Sequence, residues 1–239
     1  RVVYSKKGDL SAIEIITENK PVPDKGQVVV QVHRAGINFA DLMMRQGLYG
    51  GAPDFPFTPG YEVSGKVVKV GFDCDYKIGD RVIAMTGFGG YAEQVVVDKT
   101  RIISIPDNIS FDDAAAMPVT YVTAYHMLSF LGNFQQGDTV LIHHAAGGVG
   151  VAACQLSKAM GAGTIIGTAS KGKKQFVESL GMKFVDKGAE DFVAVCMSET
   201  DGRGVHHALD PVGGKHLMRS YKSLRSGGRL YSFGASSAI

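Results

Sequence analysis

The feature that most constrains the fold is a cluster of glycines at residues 145–150 (AAGGVG), which lies between two apolar segments. The apolar run before it, residues 139–143, is short and follows a turn, which is typical of a buried parallel strand. Residues 151–160 carry apolar side chains at helical spacing without a proline, and residues 164–168 form a second short apolar run. This order predicts a strand, turn, helix and strand with a right-handed connection.

The glycine cluster has the form of a dinucleotide-binding turn in which Ala145 stands at the first glycine position. Glycines at such a turn let the main chain approach a pyrophosphate, and the last one, Gly150, lets the helix lie close to the strand. The N–H groups at the start of the helix favour phosphate. The alternative is an ordinary tight turn without a ligand. The predicted phosphate-binding residues are Ala146, Gly147, Gly148, Val149 and Gly150.

The segment after the second strand predicts which nucleotide is bound. Proteins that bind NAD usually carry an acidic residue there, which holds the ribose 2′-hydroxyl. Residues 167–174 contain no acid and three lysines, and these groups favour a 2′-phosphate. We therefore predict NADP(H) as the cofactor. The predicted contacts are Ser170, Lys174 and Lys187, with Lys171 as a further candidate. The alternative, that the lysines are only the solvated face of the next helix, is preferred for Lys173.

Composition limits the remaining possibilities. The chain has 239 residues, of which 45% are hydrophobic and 20% are charged, and these values are ordinary for a soluble protein. A net charge of +2 gives no support for a nucleic-acid partner. The sequence has no run of 18 apolar residues, so no integral membrane segment is predicted. Three scattered cysteines are typical of reduced thiols. We therefore expect a cytoplasmic protein.

Residues 1–119 have the pattern of a β domain interrupted by one helix. The predicted strands are residues 28–33, 63–70, 81–85 and 91–97. A helix is predicted at residues 39–46 with Asn38 as its N-cap, and a second helix begins after Ser110 and is broken by Pro118. Many short strands separated by turns predict a small barrel-like domain.

Residues 120–239 alternate between strand and helix. Beyond the first strand–helix–strand unit, the predicted strands are residues 183–186, 205–210 and 229–233. The predicted helices are residues 122–131, 175–180, 191–197 and 215–224. The pattern predicts an α/β fold with a doubly wound parallel sheet of five strands. The chain starts inside a predicted strand without Met and stops shortly after another, so we expect a C-terminal segment to be missing.

Several motifs together resemble the zinc-free, quinone oxidoreductase-like branch of the medium-chain dehydrogenase/reductase superfamily. They are residues 36–41 (GINFAD), 45–49 (RQGLY), 59–62 (PGYE), 79–82 (GDRV), 146–150 (AGGVG) and 233–237 (FGASS). The stretch 38–49 is similar to homologues of the synaptic-vesicle amine-transport protein within that branch. The resemblance implies a GroES-like β domain, a Rossmann domain and NADPH-dependent reduction of quinones or enones. It also implies a homodimer for the full-length protein.

The residues at the positions of the family's zinc ligands predict that no zinc is bound. Zinc alcohol dehydrogenases use a Cys/His/Cys set for the catalytic metal and four close cysteines for a structural one. By resemblance, Asn38 and Tyr61 stand at two of the catalytic ligand positions, and no cysteine lies between residues 75 and 153. Zinc needs thiolate or imidazole ligands, which the chain does not supply at these positions.

The resemblance also implies which residues carry the chemistry. It places Asn38 and Tyr49 beside the nicotinamide and the substrate, as an amide donor and a phenol donor. Asp41 lies on the same helical face as Asn38 and is a candidate for holding it in place. The alternatives are that Asn38 and Asp41 only cap the helix and that Tyr49 only lines the pocket. The predicted contacts of the nicotinamide half are Thr123, Phe233, Gly234, Ala235 and Ser236.

A second class of function stays open at this stage. The chain would then be an NADPH-binding sensor or interaction protein with little or no turnover. Neither the motifs nor the composition separates this function from that of a reductase, and the substrate cannot be identified from the sequence.

Overall fold

The computed structural model describes residues 1–238 and forms two compact units. The first unit is Arg1–Val119, and the second begins at Thr120. The first is a β unit and the second has helices around a parallel sheet, which confirms the predicted α/β class.

The first unit contains seven strands. They are β1 (Val2–Tyr4), β2 (Ile13–Ile15), β3 (Gln27–Ala35), β4 (Glu62–Val70), β5 (Arg81–Met85), β6 (Gln94–Asp98) and β7 (Ile102–Ser104). β1 and β2 form an antiparallel pair, and the other five form an antiparallel sheet in the order β6-β3-β4-β5-β7. All four predicted strands are present. β1 lies where the chain was predicted to start inside a strand, whereas the three-residue strands β2 and β7 were not predicted.

Alternating valines build the core of this unit. Val28 and Val30 of β3, together with Val63 and Val67 of β4, are buried and face the same cluster. Side chains two residues apart on a strand share a face, and β-branched side chains fit that pleated surface. The core therefore fixes the register of β4, which begins at Glu62, a residue of the candidate site.

Two short helices lie in the first unit and a third begins at its end. They are α1 (Phe39–Arg45), α2 (Phe111–Ala116) and α3 (Pro118–Tyr125). Asn38 precedes α1, and the Ser110 hydroxyl accepts the Asp113 N–H (3.0 Å) at the start of α2, as predicted. The prediction that the next helix starts at Val122 was wrong. Pro118 occupies its first position, where the missing N–H costs nothing, and the helix continues into a π-helical turn, His126–Leu131.

Over residues 120–238, the second unit contains five strands and four further α-helices. The strands are β8 (Val140–Ile142), β9 (Ile165–Ala169), β10 (Lys183–Asp186), β11 (Val205–Asp210) and β12 (Leu224–Ser232). The helices are α4 (Gly148–Ala159), α5 (Lys174–Ser179), α6 (Phe192–Ser198) and α7 (Gly214–Lys222). The sheet is parallel with the order β10-β9-β8-β11-β12, which confirms the predicted doubly wound topology. In this topology ligands bind beyond the carboxyl ends of the strands.

Within residues 1–238, no helix combines the length and the apolar character that are needed to cross a bilayer.

Candidate functional site

The glycine turn lies between β8 and α4, at the carboxyl end of the parallel sheet. It opens with His144 in the left-handed region (φ 51°), and the Ala145 N–H donates to the Thr168 carbonyl of β9 (3.0 Å). The first hydrogen bond within α4 runs from the Val151 N–H to the Gly147 carbonyl (2.9 Å). The N–H groups of residues 148–150 precede that bond, so they are the ones that an α-helix leaves for an anion.

The glycines of the turn stand where side chains would collide. A Cβ on Gly150 would lie 2.8 Å from the Ala145 Cα, so this glycine lets α4 approach the end of β8. A Cβ on Gly148 would lie 2.9 Å from Cγ2 of Thr120. Ala146 and Val149 are half-buried beside the glycines and pack against the core. The turn therefore has the close packing that the sequence motif predicts.

The residues predicted to bind a 2′-phosphate surround the end of β9. Ser170, Lys171, Lys174 and Lys187 are exposed, and the Lys187 N–H donates to the Ala169 carbonyl (3.0 Å). Lys171 and Lys174 line an open cavity of about 630 Å³ together with acidic residues. Lys174 lies 3.8 Å from Glu178, whereas Lys171 has no ion pair with another described residue. The four predicted residues thus follow the ends of the neighbouring strands β9 and β10, with a carboxylate beside Lys174.

The residues predicted to contact the nicotinamide half lie at the end of β12 and in α3. The Phe233 N–H donates to the Asp210 carbonyl (3.1 Å) and the Ser236 N–H to the Pro211 carbonyl (3.0 Å), which ties this segment to the end of β11. Gly234 and Ala235 between them are exposed, and a Cβ on Gly234 would lie 2.8 Å from the Pro211 carbonyl oxygen. Thr123 is half-buried in α3.

Asn38 and Asp41 belong to one hydrogen-bonded network in the first unit. Asp41 is buried, and its Oδ2 accepts the Asn38 backbone N–H (2.8 Å) and the Tyr91 hydroxyl (2.7 Å). Burial, followed by the hydrogen bond and the charge of Asp41, raises the pKa of the Tyr91 phenol. The Asn38 Nδ2 donates to Oε1 of Glu62 (2.8 Å). One amide N–H of the predicted donor is thus already engaged.

Tyr49 lies in the loop after α1 and is 37% exposed. Burial raises the pKa of the neighbouring Tyr61 phenol, and a hydrogen bond between Tyr61 and Tyr49 raises it further. Tyr61 packs with Phe57 and Phe88 in a small aromatic cluster that also contains Tyr4 and Met44. The aromatic side chains of this region therefore form a local core, and the Tyr49 phenol lies at its exposed edge.

A buried polar cluster at the carboxyl ends of β8 and β11 was not predicted. Possible ligand atoms of His143, Asp210 and His216 lie within 4.8 Å of one another, which is close enough to hold a metal ion. However, the buried Ser220 hydroxyl lies 3.0 Å from Nε2 of His143 and 2.6 Å from Oδ2 of Asp210. It occupies the hydrogen-bonding positions that a metal ion would need, so the cluster is a satisfied polar network.

His143 is buried, whereas the next residue, His144, is exposed. Burial lowers the pKa of His143 to about 3, so the imidazole is neutral. One feature of the sequence could have predicted part of this cluster: Asp210 ends a predicted strand, and a histidine follows six residues later, at the start of the next helix.

Two family models match the chain, one in each unit. Residues 24–107 match an alcohol dehydrogenase GroES-like domain, and residues 148–238 match a model described as zinc-binding dehydrogenase. A GroES-like unit followed by a parallel sheet with a glycine turn defines the class of medium-chain dehydrogenases and reductases.

Individual relatives narrow this class. The chain is 37% identical to a probable quinone oxidoreductase of Schizosaccharomyces pombe. The alignment covers 100% of this chain and 72% of that protein. The crystal structure of Escherichia coli quinone oxidoreductase complexed with NADPH superposes with a TM-score of 0.92 at 33% identity, with 99% of this chain and 73% of that one covered. The chain therefore belongs to the zinc-free, quinone oxidoreductase-like family of the medium-chain dehydrogenases and reductases.

Other relatives are named as synaptic vesicle membrane proteins and not as oxidoreductases. The synaptic vesicle membrane protein VAT-1 homolog of Danio rerio is 40% identical over 94% of the chain. That alignment covers 46% of the relative, and the alignment to the human VAT-1 homolog covers 56% of it. The chain thus spans about half the length of these curated relatives.

Proposed function

We propose that the protein is an NADPH-dependent oxidoreductase that transfers hydride to the carbonyl system of a quinone or enone without zinc. The observation that carries the proposal is the glycine turn at the carboxyl end of the sheet, next to a strand whose end carries Ser170 and lysines instead of an acid. Family membership supports the same reaction class. The proposal includes a cytoplasmic location, as the composition predicts, and a homodimeric full-length protein, as the family resemblance implies.

The residues of the second unit fit a dinucleotide. Residues 146–150 would hold the pyrophosphate, because the helix start offers N–H groups and the glycines keep the backbone accessible. Ser170, Lys174 and Lys187, with Lys171, would bind the 2′-phosphate. Thr123 and residues 233–236 would contact the nicotinamide half. When bound, NADPH supplies the hydride, and the protein supplies position and electrostatics.

The residues of the first unit would act on the substrate. A carbonyl that accepts hydride develops negative charge on its oxygen, and a hydrogen-bond donor aimed at that oxygen stabilises the transition state. The Tyr49 phenol is half-exposed and would donate that hydrogen bond or a proton. Asn38 would orient the substrate or the nicotinamide through its amide. Asp41, which accepts the Asn38 backbone N–H, would hold Asn38 in place.

A fluorescence titration tests the proposal. The purified chain is titrated with NADPH and with NADH, and a simple quinone is then added to the complex. We expect tighter binding of NADPH and a quinone-dependent loss of nicotinamide fluorescence. Equal affinities would refute the NADP preference, and bound NADPH that persists with the quinone would refute the reductase.

The VAT-1 homologues support a second candidate function. Relatives at 38 to 40% identity are named as synaptic vesicle membrane proteins and not as oxidoreductases. The chain would then bind NADPH as a sensor or interaction protein with little or no turnover. The same titration separates the two functions, because this alternative predicts selective NADPH binding without a quinone-dependent signal.

A further inference from the structure

Glu62 is a buried carboxylate beside the proposed catalytic residue Asn38. It is the first residue of β4 and only 1% of its surface is exposed. Its Oε1 accepts the Asn38 Nδ2 (2.8 Å), and its Oε2 accepts the Val119 backbone N–H (2.7 Å). Each carboxylate oxygen therefore has its own N–H donor.

The backbone leaves a place for this side chain. A Cβ on Gly36 would collide with the Glu62 carboxylate, and the Gly36 N–H donates to the Glu62 carbonyl (3.1 Å). Burial raises the pKa of Glu62 and the charge of Asp41 adds to this effect, whereas the hydrogen bonds from Val119 and Asn38 oppose it. A buried charge is tolerated where such donors compensate it.

The contact has a consequence for the orientation of Asn38. The Asn38 Nδ2 donates to Glu62, so the NH2 end of the Asn38 amide faces Glu62 and the carbonyl end faces away. Asp41 holds the Asn38 backbone from another direction through its N–H (2.8 Å). Two carboxylates together fix both the main chain and the amide of this residue.

We propose that Glu62 is a positioning residue, which sets the orientation of the Asn38 amide and so determines which of its ends meets the ligand. This inference rests on the proposed function, because it takes from that proposal the contact of Asn38 with substrate or nicotinamide. It adds a residue that acts through Asn38 and not on the reacting atoms.

The first test is a double-mutant cycle of Glu62→Gln and Asn38→Ala. A glutamine keeps the shape but has one oxygen, so one of the two N–H donors then faces an NH2 group. We expect Glu62→Gln to lower kcat at least about tenfold with an unchanged Kd for NADPH, and to change kcat less than about twofold when Asn38 is already alanine. An equal loss in both backgrounds would overturn the proposal.

The second test does not depend on turnover. The side-chain NH2 resonances of Asn38, assigned by their absence in Asn38→Ala, are followed by NMR in the whole chain. We expect Glu62→Gln to shift them and to speed their solvent exchange. Unchanged resonances would overturn the proposal even if the enzyme proves inactive. Lack of turnover in the unmutated chain, with these resonances shifting as expected, would count against the proposed function alone.

Ser64→Ala is the matched control, because it removes a different buried polar group from the same strand. The Ser64 hydroxyl donates to the Phe111 carbonyl (2.6 Å). We expect this variant to keep kcat and the Asn38 resonances. A loss of kcat in Ser64→Ala that matches the loss in Glu62→Gln would show a general effect of strand damage and overturn the proposal.

Discussion

The Ser220 hydroxyl donates a 2.6 Å hydrogen bond to Oδ2 of Asp210, and both side chains are fully buried. Oδ1 of the same carboxylate accepts the backbone N–H groups of Val212 (2.7 Å) and Gly213 (3.0 Å). Burial alone would raise the pKa of Asp210, but these donors and His216 outweigh it and hold the pKa below its ordinary value. The bond therefore anchors α7 to the end of β11, where the segment after β12 also attaches.

Ser220→Ala should destabilise the fold. The buried, ionised Asp210 would lose one donor, which costs roughly 1–3 kcal/mol in the free energy of unfolding. Urea unfolding measures this change, and Ser226→Ala, at an exposed serine of the same unit, is the control. If both variants have the same midpoint, the hydrogen bond does not contribute to stability.

The stability of the fold should fall on acidification, in part because of His143. Its pKa in the folded chain is about 3, below the ordinary value of 6.5. Between these two pH values the unfolded chain therefore binds a proton at His143 that the folded chain does not bind. The contribution of His143 to the free energy of unfolding is present above pH 6.5. It is lost as the pH falls towards 3, by up to about 1.4 kcal/mol per pH unit. Unfolding at several pH values should show a shallower slope in His143→Asn. Identical slopes of the unfolding free energy against pH in the two proteins would contradict a lowered pKa of His143.

Gly150→Ala should disturb the packing of α4 against β8. The added methyl would meet backbone atoms of Ala145, which cannot move away as a flexible side chain could. Overpacking of this kind costs roughly 1–3 kcal/mol. Gly172→Ala is the control, because a Cβ there meets nothing within 4 Å. A loss of stability no larger in Gly150→Ala than in Gly172→Ala would mean that the turn does not need this glycine.

Ser170→Asp should weaken NADPH binding and leave NADH binding intact. A carboxylate at the end of β9 would repel a 2′-phosphate and accept a hydrogen bond from a ribose hydroxyl. We expect at least about a tenfold loss of NADPH affinity, which corresponds to 1.4 kcal/mol. Fluorescence titration measures both constants, and Lys222→Ala controls for the loss of a positive charge elsewhere. A parallel loss for both nucleotides would contradict the predicted contact.

The fold was predictable where the pattern of side chains was strong. β10 and β11 have the predicted bounds, because glycine or proline residues of turns lie close to both ends of each strand. β2 was missed because it has only three residues, Ile-Glu-Ile, which is too short for an alternating pattern to be recognised. The break assigned to Pro118 is confirmed, since α2 ends at Ala116. The predicted start of the next helix at Val122 was wrong, because the proline that breaks one helix can also start another.

The candidate site was predictable where a motif is local. The glycine turn is six consecutive residues, and its position between strand and helix follows from the sequence. Contacts between distant residues were not accessible, because they depend on tertiary packing. Asn38 and Glu62 are 24 residues apart, and His143 and Ser220 are 77 apart. Only the structure brings these pairs together.

The most direct test of the central claim is a single-turnover experiment with the chain loaded with NADPH. A simple quinone is added in excess, and the decay of the bound nicotinamide fluorescence is compared between the unmutated chain and Tyr49→Phe, with Tyr221→Phe at an exposed tyrosine as control. We expect a quinone-dependent decay that Tyr49→Phe slows at least about tenfold at an unchanged Kd, since one donor to the developing oxyanion is lost. Bound NADPH that persists after quinone addition in the unmutated chain would contradict the assignment as a reductase.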